Sequence, residues 1–237
     1  MYQELWNLLY PKRCPVCFEI LNDQKGLVCP ECYKKVKIIK QPYCYQCGKP
    51  LLSMEQEYCY DCRKMKLSFD RGFSIVEYDA VTAPSILAVK YKNRREFLKF
   101  YGKLGKMQYE KILKNLKIDA IIPVPLSRKK QKKRGFNQAA LFGKELARWI
   151  QVPINEKLLI RGKDTIPLKE LAPLERRAAL KKVFYWQQKY YQGEKIVLLV
   201  DDIYTSGATV EACTRILKEN GIKKVYILTM AIGRGNS

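Results

Sequence analysis

Residues 195–210 read KIVLLVDDIYTSGATV. Ile196, Val197, Leu198, Leu199 and Val200 form an unbroken apolar run, mostly branched. Such a run predicts a central strand of a parallel sheet, covered on both faces by helices. Asp201 and Asp202 end it. A turn rich in Thr, Ser and Gly then opens a helix through Cys213, Ile216 and Leu217. In open α/β sheets ligands bind beyond the carboxyl ends of the strands, and a helix N-terminus offers unpaired backbone N–H groups to an anion.

The residue types specify the ligand further. Gly207 lets the backbone approach a phosphate, and Thr205, Ser206 and Thr209 add hydroxyl donors. Paired carboxylates do not favour a phosphate; they suit sugar hydroxyls, or a metal bridging to them. Strand, acid pair and phosphate cradle together predict a phosphosugar. No GxxxxGK[ST] occurs, which excludes a Walker loop.

The segment VLLVDDIYTSGAT resembles the phosphoribosyl pyrophosphate (PRPP) signature of type I phosphoribosyltransferases. The resemblance implies an α/β fold with a parallel sheet flanked by helices. It assigns the ribose hydroxyls to Asp201 and Asp202, and the 5′-phosphate to Thr205, Ser206, Gly207, Ala208 and Thr209.

With 237 residues, nearly half of them apolar, the chain can hold one α/β domain and a small appendage. Its net charge of +22 predicts attraction to polyanions, although a lysine-rich solvated surface gives the same count. Histidine is absent, so Ser–His and Cys–His catalysis and His-ligated metals are excluded. Glu4 interrupts the only apolar stretch near the start, and no run of eighteen apolar residues occurs. The expectation is a cytoplasmic protein without a signal peptide or transmembrane segment.

The chain then divides into residues 1–66 and 67–237. The first part is expected to open with a short helix over residues 2–10 bearing Leu5, Trp6, Leu8 and Leu9. Four Cys-x-x-Cys pairs follow: Cys14 and Cys17, Cys29 and Cys32, Cys44 and Cys47, Cys59 and Cys62, with eleven residues between successive pairs. Each pair spans two corners of a tetrahedral Zn²⁺, so the eight thiolates make two closed, structural four-cysteine sites. Equal gaps leave the pairing open, because doubling a loop costs only about 0.6 kcal/mol. Composition favours consecutive sites, since CPVC and CPEC resemble each other, as do CYQC and CYDC. Residues 63–68, RKMKLS, read as a linker.

In the second part, residues 72–78 alternate like a strand. Thr82 and Pro84 predict a helix start, and a longer helix is expected over about residues 96–116, burying Phe97, Tyr101, Leu104 and Ile112. Residues 119–124, DAIIPV, predict another buried strand. The loop after it is strongly basic: six of the seven residues at 128–134 are Lys or Arg. By the phosphoribosyltransferase resemblance, Val124, Pro125, Leu126 and Ser127 form a pyrophosphate loop, with Arg128 and Arg134 as contacts and Mg²⁺ arriving with PRPP.

PLSRxxxxxRGFNQA is narrower than that superfamily. Together with the cysteine module it resembles the ComF (ComFC) family, linked to natural competence and DNA uptake. Gly135, Phe136, Asn137 and Gln138 match the family's RGFNQ, at the start of a helix through Leu141, Leu146 and Trp149. Asn137 and Gln138 read equally as helix caps and as site residues. The resemblance also points to a mobile segment at 163–182, with Thr165, Leu168 and Arg176 nearest the family's pattern. It implies PRPP or a similar phosphosugar, single-stranded DNA and other competence proteins as partners; the alternative is an active phosphoribosyltransferase of nucleotide metabolism. Residues 223–232 predict the closing strand, and Cys213 a packed thiol.

Overall fold

The computed structural model describes residues 11–162 and 183–233. Two short ribbons come first, each a Cys-x-x-Cys knuckle followed by a short helix. The helices are α1 (Pro30–Lys35) and α2 (Tyr60–Lys64), whose N-cap positions are Cys29 and Cys59. The knuckles are closed by antiparallel bridges, Arg13 to Ile20 and Tyr43 to Pro50. The first ribbon has its own small core of Cys14, Leu21 and Cys32, whereas Tyr43, Cys44, Cys47 and Cys59 of the second join the main core.

The sheet begins with β1 (Arg71–Glu77). Next come α3 (Ala83–Tyr91), a 3-10 turn, α4 (Leu98–Asn115) and β2 (Ala120–Pro123). After these lie α5 (Arg128–Arg134) and α6 (Gln138–Ile150). An antiparallel pair, β3 (Leu159–Arg161) and β4 (Phe184–Trp186), precedes β5 (Ile196–Tyr204), α7 (Ala208–Glu219) and β6 (Lys224–Ile232). Four strands form one sheet in the order β1–β6–β5–β2, every neighbouring pair parallel. β5 and β6 are interior, which is why both read as nearly continuous apolar runs.

The helices place the sheet's faces. α6 packs on β2 and β5, α4 on α6 and β1, and α7 on β4, β5 and β6. A parallel sheet flanked by helices, with two four-cysteine clusters ahead of it, is thus the architecture.

Several local expectations change. The basic stretch at 128–134 is a helix, not a loop: Ser127 caps it by accepting from the Lys130 amide, and Gly135 ends it in the left-handed region, φ 76°. The Thr82 hydroxyl does not cap α3 but donates to the Glu77 carbonyl at 2.6 Å. Ile112 is half-buried, although Phe97, Tyr101 and Leu104 are buried as expected. The stretch at 63–68 is no free linker, since α2 runs to Lys64 and Ser68 is held by Glu211. The β3–β4 pair carries no recognisable signal because each strand has only three residues. The expected helix at 2–10, and Thr165, Leu168 and Arg176, lie outside the described residues.

Candidate functional site

The strand does not end at the acid pair as expected: β5 continues through Ile203 and Tyr204, which still pair with β6, and strand alternation sends Asp201 and Asp202 to opposite faces of the sheet. Asp202 is on the α6 side, 5 % exposed. Its Oδ2 accepts from Gln138 Nε2 at 2.6 Å and lies 3.1 Å from Lys90 Nζ, contributed by α3. Gln138 Oε1 in turn accepts from Arg134 at 2.9 Å, and the Arg134 guanidinium lies over the Tyr91 ring, 5.0 Å from its centroid. One polar chain therefore links the end of the basic helix α5 to the acid at the end of β5.

Asp201 is half-buried on the other side, toward Arg161 and the α7 thiol Cys213. Burial, and next the neighbouring Asp202 carboxylate, push its carboxyl up to about 8; Lys90 and Arg161 oppose this only in part. Its Oδ1 accepts from the Asp202 amide at 2.8 Å. Near neutrality Asp201 thus holds its proton, able to donate and accept, beside an Asp202 ion-paired with Lys90.

The turn after β5 exposes Thr205 and Ser206 and half-buries Ala208 and Thr209. Gly207 caps α7 with φ 73°, and a Cβ there would collide with the Tyr204 hydroxyl. Glycine is required on both counts. Tyr204 packs edge-on against Phe69, ring centroids 6.5 Å apart. Burial, and then the cysteines of the second ribbon, hold its hydroxyl protonated, well above the usual tyrosine range.

Val124, Pro125 and Ser127 are buried and Leu126 half-buried; the Val124 amide donates to the Val200 carbonyl at 2.9 Å. Arg128 is exposed at the start of α5, while Arg134 is the basic residue that reaches the acid network. Asn137 caps α6 through the Ala139 amide at 2.9 Å and donates to the Val124 carbonyl at 2.9 Å. So of the two, Asn137 is the cap and Gln138 the neighbour of the acid. Lys90 and Arg161 were not foreseen. Lys90 sits in a helix that reads as core, and neither residue belongs to a recognisable motif.

The cysteines form two clusters, Cys14/Cys17/Cys29/Cys32 and Cys44/Cys47/Cys59/Cys62, with Sγ atoms within 4.8 Å of one another in each. This is the consecutive pairing. Zn–S bonds of about 2.3 Å in a tetrahedron set S···S edges at about 3.8 Å. The Cys17–Cys29 separation is 3.8 Å and the Cys47–Cys59 separation 3.7 Å, so the donor sets fit zinc. Four thiolates per ion leave no open position, which makes both centres structural.

Comparison with known proteins agrees with this reading. Residues 5–63 match the family model of the double zinc ribbon domain. Competence protein F of Haemophilus influenzae is 34% identical over 114 residues, covering 48% of this chain and 50% of that protein. The match spans half of that relative's length. DNA utilization protein YhgH of Shigella flexneri is 28% identical over 162 residues, covering 67% of this chain and 70% of that protein. A solved adenine phosphoribosyltransferase superposes on 63% of this chain and 75% of its own, at 17% identity and TM-score 0.37. Among the described residues no helix is long and apolar enough to cross a membrane.

Proposed function

We propose that the crevice beyond β5 binds PRPP or a similar phosphosugar, and that the protein acts in handling incoming single-stranded DNA during natural competence. The observation that carries the first part is the sequence of features within one strand–turn–helix. Asp201 and Asp202 lie near the end of β5, Gly207 is left-handed, and α7 starts immediately after it. Sugar hydroxyls would meet the two carboxyls, and the 5′-phosphate would meet the Thr205, Ser206 and Thr209 hydroxyls with the first amides of α7. Mg²⁺ would arrive on the pyrophosphate and neutralise it. Arg134, at the end of its chain through Gln138, is the basic group best placed to meet pyrophosphate.

The DNA part is supported by the net charge of +22, by the exposed basic helix α5, and by the names of the relatives, a competence protein and a DNA utilization protein. The experiment for the first part is calorimetric titration of zinc-loaded protein with PRPP and Mg²⁺, on wild type and on Asp201→Ala/Asp202→Ala. Binding by wild type and not by the double variant is expected; equal heats from both would end the assignment. For the second part, single-strand affinity should fall with salt at a log–log slope of about −0.7 per phosphate contacted.

The Arg134–Gln138–Asp202 chain also favours a second reading, an active phosphoribosyltransferase, because it couples a cation to the ribose end. Release of pyrophosphate in a panel of bases and amines distinguishes catalysis from binding alone.

A further inference from the structure

A second cleft opens beside the first residue of β1, whereas the phosphosugar crevice lies past the end of β5. Its volume is about 470 Å³, and Gln41, Tyr45, Gln46, Tyr58, Asp70 and Arg71 line it. Two aromatic rings stand in it half exposed: Tyr45 is 44 % and Tyr58 40 % exposed, packed edge to face with centroids 6.5 Å apart. Arg71 is held between rings, 5.2 Å from the Tyr45 centroid and 5.0 Å from that of Phe73.

Two observations show that the cleft lacks a component. The Arg71 Nε–H is buried and meets no acceptor among the described residues, which is a cost unless something else supplies one. The carboxylate next to it does not serve. Asp70 is committed elsewhere, 2.9 Å from Lys218 and 3.1 Å from Lys224, with the Val225 amide donating to it at 2.9 Å. The cleft therefore presents a guanidinium without an ionic partner among the described residues, beside two half-exposed tyrosine rings, on a chain of strong positive charge. Flat π surfaces with an adjacent guanidinium are what an unstacked base and its phosphate require.

We propose that this cleft on the second ribbon takes one unpaired nucleotide of a single-stranded nucleic acid, its base against Tyr45 and Tyr58 and its phosphate or base edge on Arg71. The proposal rests on the single-stranded-DNA reading above and locates a site for it away from the phosphosugar crevice.

The test uses the zinc-loaded full chain and an oligothymidylate carrying fluorescein, followed by anisotropy. A second oligonucleotide carries 2-aminopurine, whose fluorescence is quenched by stacking. Tyr45→Ala/Tyr58→Ala and Arg71→Ala should each weaken binding by about tenfold or more and abolish the quenching. Tyr45→Phe/Tyr58→Phe keeps the ring faces and should bind like wild type. Zinc content and PRPP titration of each variant report folding, and PRPP binding should be unchanged. If wild type binds no oligonucleotide, both this proposal and the DNA reading are overturned. If wild type binds and the Ala variants bind as tightly with quenching intact, this proposal alone is overturned. A Tyr→Phe pair as weak as the Ala pair would also overturn it, since hydroxyls and not stacking would then hold the ligand.

Discussion

Ser68 places both its backbone amide and its hydroxyl on Glu211, each donating to one carboxylate oxygen at 2.7 Å. Ser68 follows the second ribbon, and Glu211 lies in the first turn of α7, directly after the phosphate turn. The cysteine module is thereby tied to the element expected to hold the ligand. Hydrogen bonds to a charged acceptor contribute about 1.5–3 kcal/mol. Glu211→Gln, which keeps one acceptor, should lower the melting temperature modestly, and Glu211→Ala more. Both should retain zinc, measured by metal release on thiol modification.

The second centre should matter to the crevice and the first should not. Tyr204 lies between the Cys44/Cys47/Cys59/Cys62 cluster and Gly207. Cys47→Ser is expected to lose one zinc and to weaken PRPP binding by at least about tenfold, since breaking a structural centre loosens the residues packed on it. Cys17→Ser is expected to lose one zinc and leave the PRPP titration nearly unchanged.

Gly207→Ala meets two obstacles, a left-handed backbone and the Tyr204 hydroxyl. Strain of the first kind costs about 1–2 kcal/mol, and the collision adds to it. Combining it with Tyr204→Phe removes the colliding oxygen and should recover part of the thermal stability, but not all of it, because the backbone penalty remains. Recovery to the wild-type melting temperature would show that φ at residue 207 is unimportant.

Asp201 gives the pH dependence a definite sign. Its folded pKa, about 8, is raised above the ordinary 3.8. Between those values the folded state holds a proton that the unfolded state has released, so stability falls as pH rises through that window and levels off above it. Asp201→Asn should therefore match or exceed wild type at about pH 8 to 9 and lose much of the slope, a difference of at least about 2 °C in melting temperature. If Mg²⁺–PRPP draws Asp201 into its ionised form, binding below about pH 8 releases a proton. Titrations in buffers of different ionisation enthalpy would detect it.

What could be read in advance, and what could not, follows from where each signal resides. β5 and its acid pair were legible because a buried central strand must be apolar throughout and the turn after it needs Gly207. The cysteine clusters were legible because metal ligation fixes residue type and spacing together. α5 was misread, because a run of charge looks alike in a solvated loop and a solvated helix; its boundaries depend on a cap at Ser127 and a left-handed Gly135. Lys90 was invisible: its partner Asp202 is more than a hundred positions away, and only the packing of α3 brings them to 3.1 Å. Gln138 was half legible, as one of two polar residues at a helix start, and local spacing could not say which of them turns inward.

The outer margin of β1 is not bare. The Ile39 amide donates to the Ile75 carbonyl at 3.0 Å and the Glu77 amide to the Lys37 carbonyl at 2.9 Å, while Gly72 has no room for a Cβ against Gln46 and Cys47. Unsatisfied strand borders recruit other strands. Trimming the chain at residue 67 would strip that margin, inviting fragments to zip together into sheets of many copies. Any engineered split of this protein would need to leave residues 37–39 with the half that carries the strand they guard.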